Sequence, residues 1–358
     1  MKKYIFLLTI LVIIPFFSIR VGAEGEAEEY ISDLEEILPD SLSGITENTD
    51  ELIEYAGARW IFGEILSVLN EGGGEIGGFL VLLIGLVALV GLASLCPGNF
   101  STAVKTCVCI VASVLIFERL SRLFGSVTES LSQLCDFFGA LIPITVGVTA
   151  LGGGAASAAV QSSGMYTALS LIGGFGGEIF SSLSALGLAM SLASAMGSEG
   201  ALAVSRGVKS LFGWLLGIFT AVLTGTLSLQ TMIASAADSA AIRAAKYMAS
   251  GLIPVVGTTV SSALSTLAGG LSYAKGVIGG GAIVALLSIA LSPLVMLLAY
   301  RLTLSIGIIL SDFTGGGASG IFSAYRFSLD TLIALYALSA VIFIFQTVLF
   351  IKIGVALL

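Results

Sequence analysis

Long uncharged runs, separated by short charged segments, dominate the chain from residue 76 to the C-terminus. A membrane-spanning helix needs about 20 mostly apolar residues. A charge near the bilayer centre costs about 2.5–3.5 kcal/mol on insertion scales, so charged residues are expected to mark the ends of spans. This pattern predicts an all-α integral membrane protein with about seven to eight transmembrane helices.

The uncharged runs define the individual spans. Residues 137–177 are too long for one span, because they would form about 60 Å of helix, twice the hydrocarbon thickness. We therefore expect a break at Gly152-Gly153-Gly154, so that 137–151 and 155–177 form either two spans or a re-entrant hairpin. Residues 121–134 carry charges and are predicted to form an interfacial helix, and residues 302–325 a short helix and a loop. The other predicted spans are 77–95, 104–117, 179–195, 210–237, 247–274 (interrupted at Pro254), 276–299 and 331–351.

The N-terminus has the pattern of a secretory signal peptide. Lys2 and Lys3 precede an apolar run at 4–19, and the small residues Val21-Gly22-Ala23 follow it. This order predicts cleavage after Ala23, so that residues 1–23 are removed. The alternative is an uncleaved anchor, although the apolar run is short for a span.

An acidic segment follows the predicted signal peptide. Residues 24–75 contain 15 acidic residues and one basic residue, Arg59. We expect this segment to form a short extracytoplasmic helical head, whose second helix ends at Gly72-Gly73-Gly74. Its acidic face is either simply solvated or a docking surface for a partner. Residues 76–358 then form the polytopic transmembrane domain.

Composition narrows the possible functions. Hydrophobic residues make up 56% of the chain and charged residues 11%, against about 25% charged residues in soluble domains. The absence of histidine removes the commonest general base and metal ligand, and the sequence has no GxxxxGK[ST] phosphate loop. We therefore expect no enzyme activity, no cofactor and no metal. Nucleic-acid binding is not expected, because the sequence has no basic patch.

Three pairs of glycines have the GxxxG spacing that lets membrane helices approach closely. The spacing is compatible with packing inside the chain or with assembly with other subunits. Glu178 interrupts another apolar region and is expected at a turn, with an ion site as the alternative. The glycine pairs are Gly173 and Gly177, Gly213 and Gly217, and Gly276 and Gly280.

One polar cluster is the strongest candidate for a functional or assembly segment. Arg243 and Lys246 are three residues apart and share a helix face, and Pro254 can break a helix so that its carbonyl groups line a cavity. The cluster either anchors a helix end at the interface or forms a gate, a conduit wall or a subunit contact. Its members are Asp238, Arg243, Lys246, Tyr247, Pro254 and Gly257.

Residues 238–257, DSAAIRAAKYMASGLIPVVG, resemble the signature stretch of the stage III sporulation protein AE family. Residues 140–159, residues 213–230 and the Gly315–Gly317 run support the resemblance, as does the order of signal peptide, acidic head and hydrophobic body. The resemblance implies a multi-pass protein of the mother-cell membrane that surrounds the forespore. It also implies partners: the other stage III sporulation A-operon proteins, including a separate ATPase, and stage II sporulation protein Q across the intermembrane space.

Two functions of different classes follow. The resemblance implies a non-enzymatic subunit of a secretion-like channel that links mother cell and forespore and sustains forespore gene expression. The alternative is a self-sufficient secondary transporter for a small solute, with discontinuous helices at Gly152–Gly154 and Pro254 forming a midplane site. The transporter requires an inverted repeat, and the sequence shows no convincing one.

Overall fold

The computed structural model describes residues 58–94, 99–151, 155–195, scattered positions between 207 and 228, and residues 257–314 and 318–353. These residues confirm an all-α protein. The predicted signal peptide and most of the acidic head lie outside them, so the boundary at residue 23 stays a prediction, and the predicted boundary at residue 75 falls inside one continuous helix. The five long helices are α1 (Ala58–Ser94), α2 (Asn99–Leu151), α3 (Ala155–Ala195), α4 (Gly257–Thr314) and α5 (Ser319–Ile353).

Four of these helices contain segments that are long and apolar enough to cross a membrane. Among the described residues, α3 contributes only a shorter apolar segment, Ala185–Ala195. The predicted total of seven or eight spans therefore stays a prediction, since much of 196–256 lies outside the described residues. The four segments are Trp60–Ala93, Thr102–Leu151, Tyr273–Thr314 and Ser319–Lys352.

The rule that charges and glycine runs mark the ends of helices is wrong at several places. α1 continues through Gly72-Gly73-Gly74, and α3 continues through Glu178. Glu178 is exposed on α3 rather than located at a turn. The physical reason is that an exposed charge does not interrupt a helix, and each helical glycine costs only about 1 kcal/mol. Packing of the neighbouring turns outweighs that cost.

The same rule predicted several separate segments where the structure has the single helices α2 and α4. The predicted interfacial helix 121–134 is the middle of the continuous α2, and the predicted span 104–117 is an earlier part of that helix. α4 continues through the expected boundaries on either side of 276–299, so 302–314 is its last part and not a separate short helix. With 53 residues, α2 is about 80 Å long, far longer than a bilayer requires.

Other predicted breaks are confirmed. α2 ends at Leu151 and α3 begins at Ala155, on either side of the predicted Gly152–Gly154 break. α4 and α5 likewise end and begin around the Gly315–Gly317 run. The segments on each side of both breaks pack against each other as helical hairpins.

Side-chain contacts show how these hairpins join. α3 lies along α5, where Gln346 Nε2 donates to the carbonyl oxygen of Gly164 at 3.5 Å. α2 contacts α5 through the stacked rings of Phe138 and Phe343, whose centroids are 4.2 Å apart. α1 completes the core by packing along α4.

Pro293 inside α4 has a specific partner. Proline has no backbone N–H, so the carbonyl of Ile289, four residues earlier, loses its helical donor. The Tyr336 hydroxyl of α5 donates to that carbonyl at 3.4 Å. A side chain of one helix thus satisfies the backbone that proline leaves unpaired in the other.

Exposed apolar side chains form a girdle at one level of the bundle. A Cβ at Gly307 of α4 would meet Leu83 of α1 and Phe322 of α5, and the Tyr325 hydroxyl of α5 donates to the Ser113 carbonyl of α2 at 2.6 Å. These contacts place the four helices at a common level. The girdle comprises Val81, Ile84, Leu89 and Leu92 of α1, Ile110, Val111, Val114 and Leu115 of α2, and Leu298, Leu302, Ile306, Ile309 and Phe313 of α4. Its exposed apolar character is that of a lipid-facing surface.

Gly279 and Gly280 of α4 provide a matched test of this packing. A Cβ at Gly279 would lie 2.7 Å from Ile351 Cδ1, whereas a Cβ at Gly280 would meet nothing within 4 Å. We expect Gly280→Ala to raise stability slightly, because alanine favours the helix by about 1 kcal/mol. Gly279→Ala should lower stability by about 1–2 kcal/mol, because overpacking outweighs that gain. Thermal unfolding of the purified chain in detergent measures both, and equal melting temperatures would contradict the packing of α4 on α5.

Candidate functional site

A polar groove of about 530 Å³ opens between α1, α2 and α4. We call it the polar groove. Its lining combines carboxylates, guanidinium groups and hydroxyl groups with a few apolar side chains. The polar lining residues are Glu64 and Glu75 of α1, Arg119, Arg122, Ser126, Ser130 and Gln133 of α2, and Ser288, Ser292 and Tyr300 of α4, and Pro293 of α4 lies among them.

The wall that α2 contributes follows from its sequence pattern. Its five polar lining residues are spaced by three or four positions, which places them on one side of a helix. The apolar residues between them, among them Leu120, Phe124 and Leu131, are buried in the core. The middle of α2 is therefore amphipathic, with its polar side in the groove.

The wall that α4 contributes is less polar. Ser288 and Ser292 are one helical turn apart and face the groove, with Pro293 beside them. Ile289 also lines this wall, and its carbonyl is the one that accepts the Tyr336 hydrogen bond. The turn of α4 around Pro293 is therefore part of the groove wall. The hydrogen bond from Tyr336 connects this turn to α5.

Charges of both signs face the groove. Arg122 pairs with Glu118 on its own helix at 3.7 Å, and these side chains are 64% and 70% exposed. In the described part of the chain, no salt bridge joins Glu64 or Glu75 to the arginines of α2. Charges that are exposed and not fully paired require water. We therefore expect the groove to be hydrated.

The groove and the girdle meet near Tyr300 of α4. Tyr300 lies at the edge of the groove and packs on Phe79 of α1, with ring centroids 5.0 Å apart. From there the groove follows α4 back through Ser292 and Ser288, along a part of that helix, 276–300, that carries no charge. A hydrated surface thus runs from the edge of the lipid-facing girdle along an apolar helix.

The lining suits recognition or passage of polar groups. Its side chains can donate and accept hydrogen bonds and can neutralise either sign of charge. Within the described helices, no group of three or more His, Cys, Asp or Glu side chains is placed to hold a metal ion.

Most residues of the predicted polar cluster lie outside the described residues. These are Asp238, Arg243, Lys246, Tyr247 and Pro254, and only Gly257, the first residue of α4, is described. Their functional role stays a prediction.

The predicted glycine pairs have varied surroundings. A Cβ at Gly173 would lie 3.8 Å from Cys135 Sγ, an ordinary contact, and one at Gly213, Gly217 or Gly280 would meet nothing within 4 Å. Gly177 lies within α3 and Gly276 within α4. The closest approaches occur at glycines that the spacing did not indicate: Gly72, Gly187, Gly279 and Gly320.

Sequence reasoning missed the groove and an ion-pair cluster between α4 and α5. The groove had a signal, because Arg122, Ser126 and Ser130 follow a helical spacing inside the segment 121–134 that was predicted as interfacial. The cluster had none, because Arg301 and its partner Asp330 are 29 residues apart in the sequence.

Comparisons with known proteins agree with one another. A family model described as "Stage III sporulation protein AE (spore_III_AE)" matches residues 51–356. A relative named "Stage III sporulation protein AE", from Bacillus subtilis (strain 168), is 25% identical over 221 residues, which covers 61% of this chain and 55% of the relative. The chain thus aligns with about half the length of that relative. No solved structure matches.

Thiol labelling tests whether the groove contains water. In a background with the four native cysteines replaced by serine, Ser292→Cys should react with a membrane-impermeant thiol reagent about tenfold faster than Ile309→Cys, because only a thiolate in water reacts readily. Ile309 is the more exposed of the two positions, at 67%, but it lies in the girdle. Faster labelling at residue 309 would contradict the assignment of water to the groove and lipid to the girdle.

Proposed function

This chain belongs to the stage III sporulation protein AE family, and from that premise we propose that it is a membrane subunit of a sporulation-specific transport channel. The channel links the mother cell and the forespore and is needed for forespore gene expression. In this proposal the chain is not an enzyme. It contributes a membrane-embedded wall of the passage.

The proposal places the chain in the mother-cell membrane around the forespore. Its partners there are the other proteins of the stage III sporulation A operon, together with stage II sporulation protein Q across the intermembrane space. A separate ATPase of the operon supplies the energy, in keeping with a sequence that has no phosphate-binding loop of its own. The acidic residues that precede α1 face the intermembrane space in this arrangement.

The observation that carries the proposal is the polar groove. Charged residues in membrane proteins face a bundle interior or a water-filled cavity and often mark a transport path. Here α1, α2 and α4 supply three sides of such a cavity, and exposed charges such as Arg122 line it. A neighbouring subunit on the open side would convert the groove into a closed passage.

Filling the groove tests this function. In the source organism, Ser292→Trp should reduce the yield of heat-resistant spores by about tenfold or more, because a bulky ring narrows a polar passage. The matched control is Ile309→Trp, which adds the same ring to the girdle side of α4. The control should sporulate normally at an equal protein level.

Two results would contradict the proposal. Normal sporulation of the Ser292→Trp strain would show that the groove is not used. Uptake of a solute by the purified chain alone in liposomes would instead support a self-sufficient transporter.

A further inference from the structure

Two arginines share one carboxylate where α4 and α5 meet. Arg301 of α4 donates a hydrogen bond from its Nε to Asp330 of α5. Arg326, one turn before Asp330 on α5, places its Nε 3.9 Å from the other carboxylate oxygen. The side chains are 30%, 22% and 37% exposed for Arg301, Arg326 and Asp330. We call these three residues the arginine triad.

The arginine triad carries one positive charge more than it neutralises. The negative charge of Asp330 balances the positive charge of one arginine. Both guanidinium groups contact the Asp330 carboxylate through their Nε atoms. The Nη groups are therefore left able to donate to a further acceptor. Two guanidinium groups that converge on one point are well suited to a phosphate, which accepts hydrogen bonds in fork geometry.

The triad lies at the end of uncharged helical stretches. Residues 276–300 of α4 and 331–351 of α5 carry no charge, so the triad interrupts the apolar segments of both helices. It also lies beside the girdle, because Leu298 and Leu302 of α4 flank Arg301 in the sequence and are both exposed. A cationic site therefore adjoins an exposed apolar strip, a combination that suits an anionic headgroup and its acyl chain.

From this combination we infer that the arginine triad binds the headgroup phosphate of an anionic phospholipid. The phosphate accepts hydrogen bonds from Arg301 and Arg326 and balances the excess charge, and one acyl chain lies along Leu298 and Leu302. A free phosphate ion has the same acceptor chemistry but no chain to cover the apolar strip. The strip therefore favours the lipid.

Lipid titration of the purified full chain, followed by native mass spectrometry, tests the inference. We expect one phosphatidylglycerol to bind about tenfold more tightly than phosphatidylcholine, because only the former carries a net negative charge that balances the excess positive charge of the triad. Arg326→Gln should abolish this preference, and Arg326→Lys should retain most of it. Lys352→Gln, which removes a cation from the other end of α5, should leave the preference unchanged. An equal loss in the Lys352→Gln variant would show unspecific attraction and overturn the site.

A second measurement leaves the triad intact, in case Arg326→Gln does not fold. With Trp60 and Trp214 replaced by phenylalanine, Leu302→Trp reports on brominated acyl chains. Brominated phosphatidylglycerol should quench it at lower lipid concentration than brominated phosphatidylcholine, and excess inorganic phosphate should not remove that difference. Equal quenching by both lipids would overturn the inference, and loss of the difference in phosphate would show a free-anion site instead.

Discussion

The charges in the middle of α2 are the constraint on which the arrangement of this protein depends. α2 is a single helix of 53 residues with apolar residues near both ends and charged residues such as Arg119 and Arg122 in between. An isolated charge facing hydrocarbon costs several kcal/mol, so this middle section must face water or other protein. In the structure its apolar side packs into the core and its polar side faces the groove.

This constraint also orders the neighbouring helices. Tyr300 lies at the edge of the groove beside the girdle, and Arg301 of the arginine triad is the next residue of α4. Polar groups of α1, α2, α4 and α5 are thereby gathered near one boundary of the lipid-facing surface. A membrane subunit that borders a passage needs such a boundary, because water and lipid must meet different sides of the same helices.

The sequence predicted the class of fold because composition and uncharged runs report directly on lipid exposure. The glycine break at 152–154 was also predictable, since it separates two long apolar segments. The continuity of α1, α2 and α3 was not, because it depends on tertiary packing that outweighs glycines and exposed charges such as Glu178. The groove and the Arg301–Asp330 pair need helices to come together that are distant in sequence.

Spin-label accessibility along α2 tests the central claim most directly. Single cysteines at 110–133, in a background without the native cysteines, would carry the label in liposomes. We predict that oxygen collision rates peak at Ile110, Val111 and Val114, and that a water-soluble nickel complex collides most at Arg119, Arg122 and Ser126, with low values for both at Leu120. Oxygen maxima at 119, 122 and 126 would mean that these positions face lipid, and would contradict the polar groove.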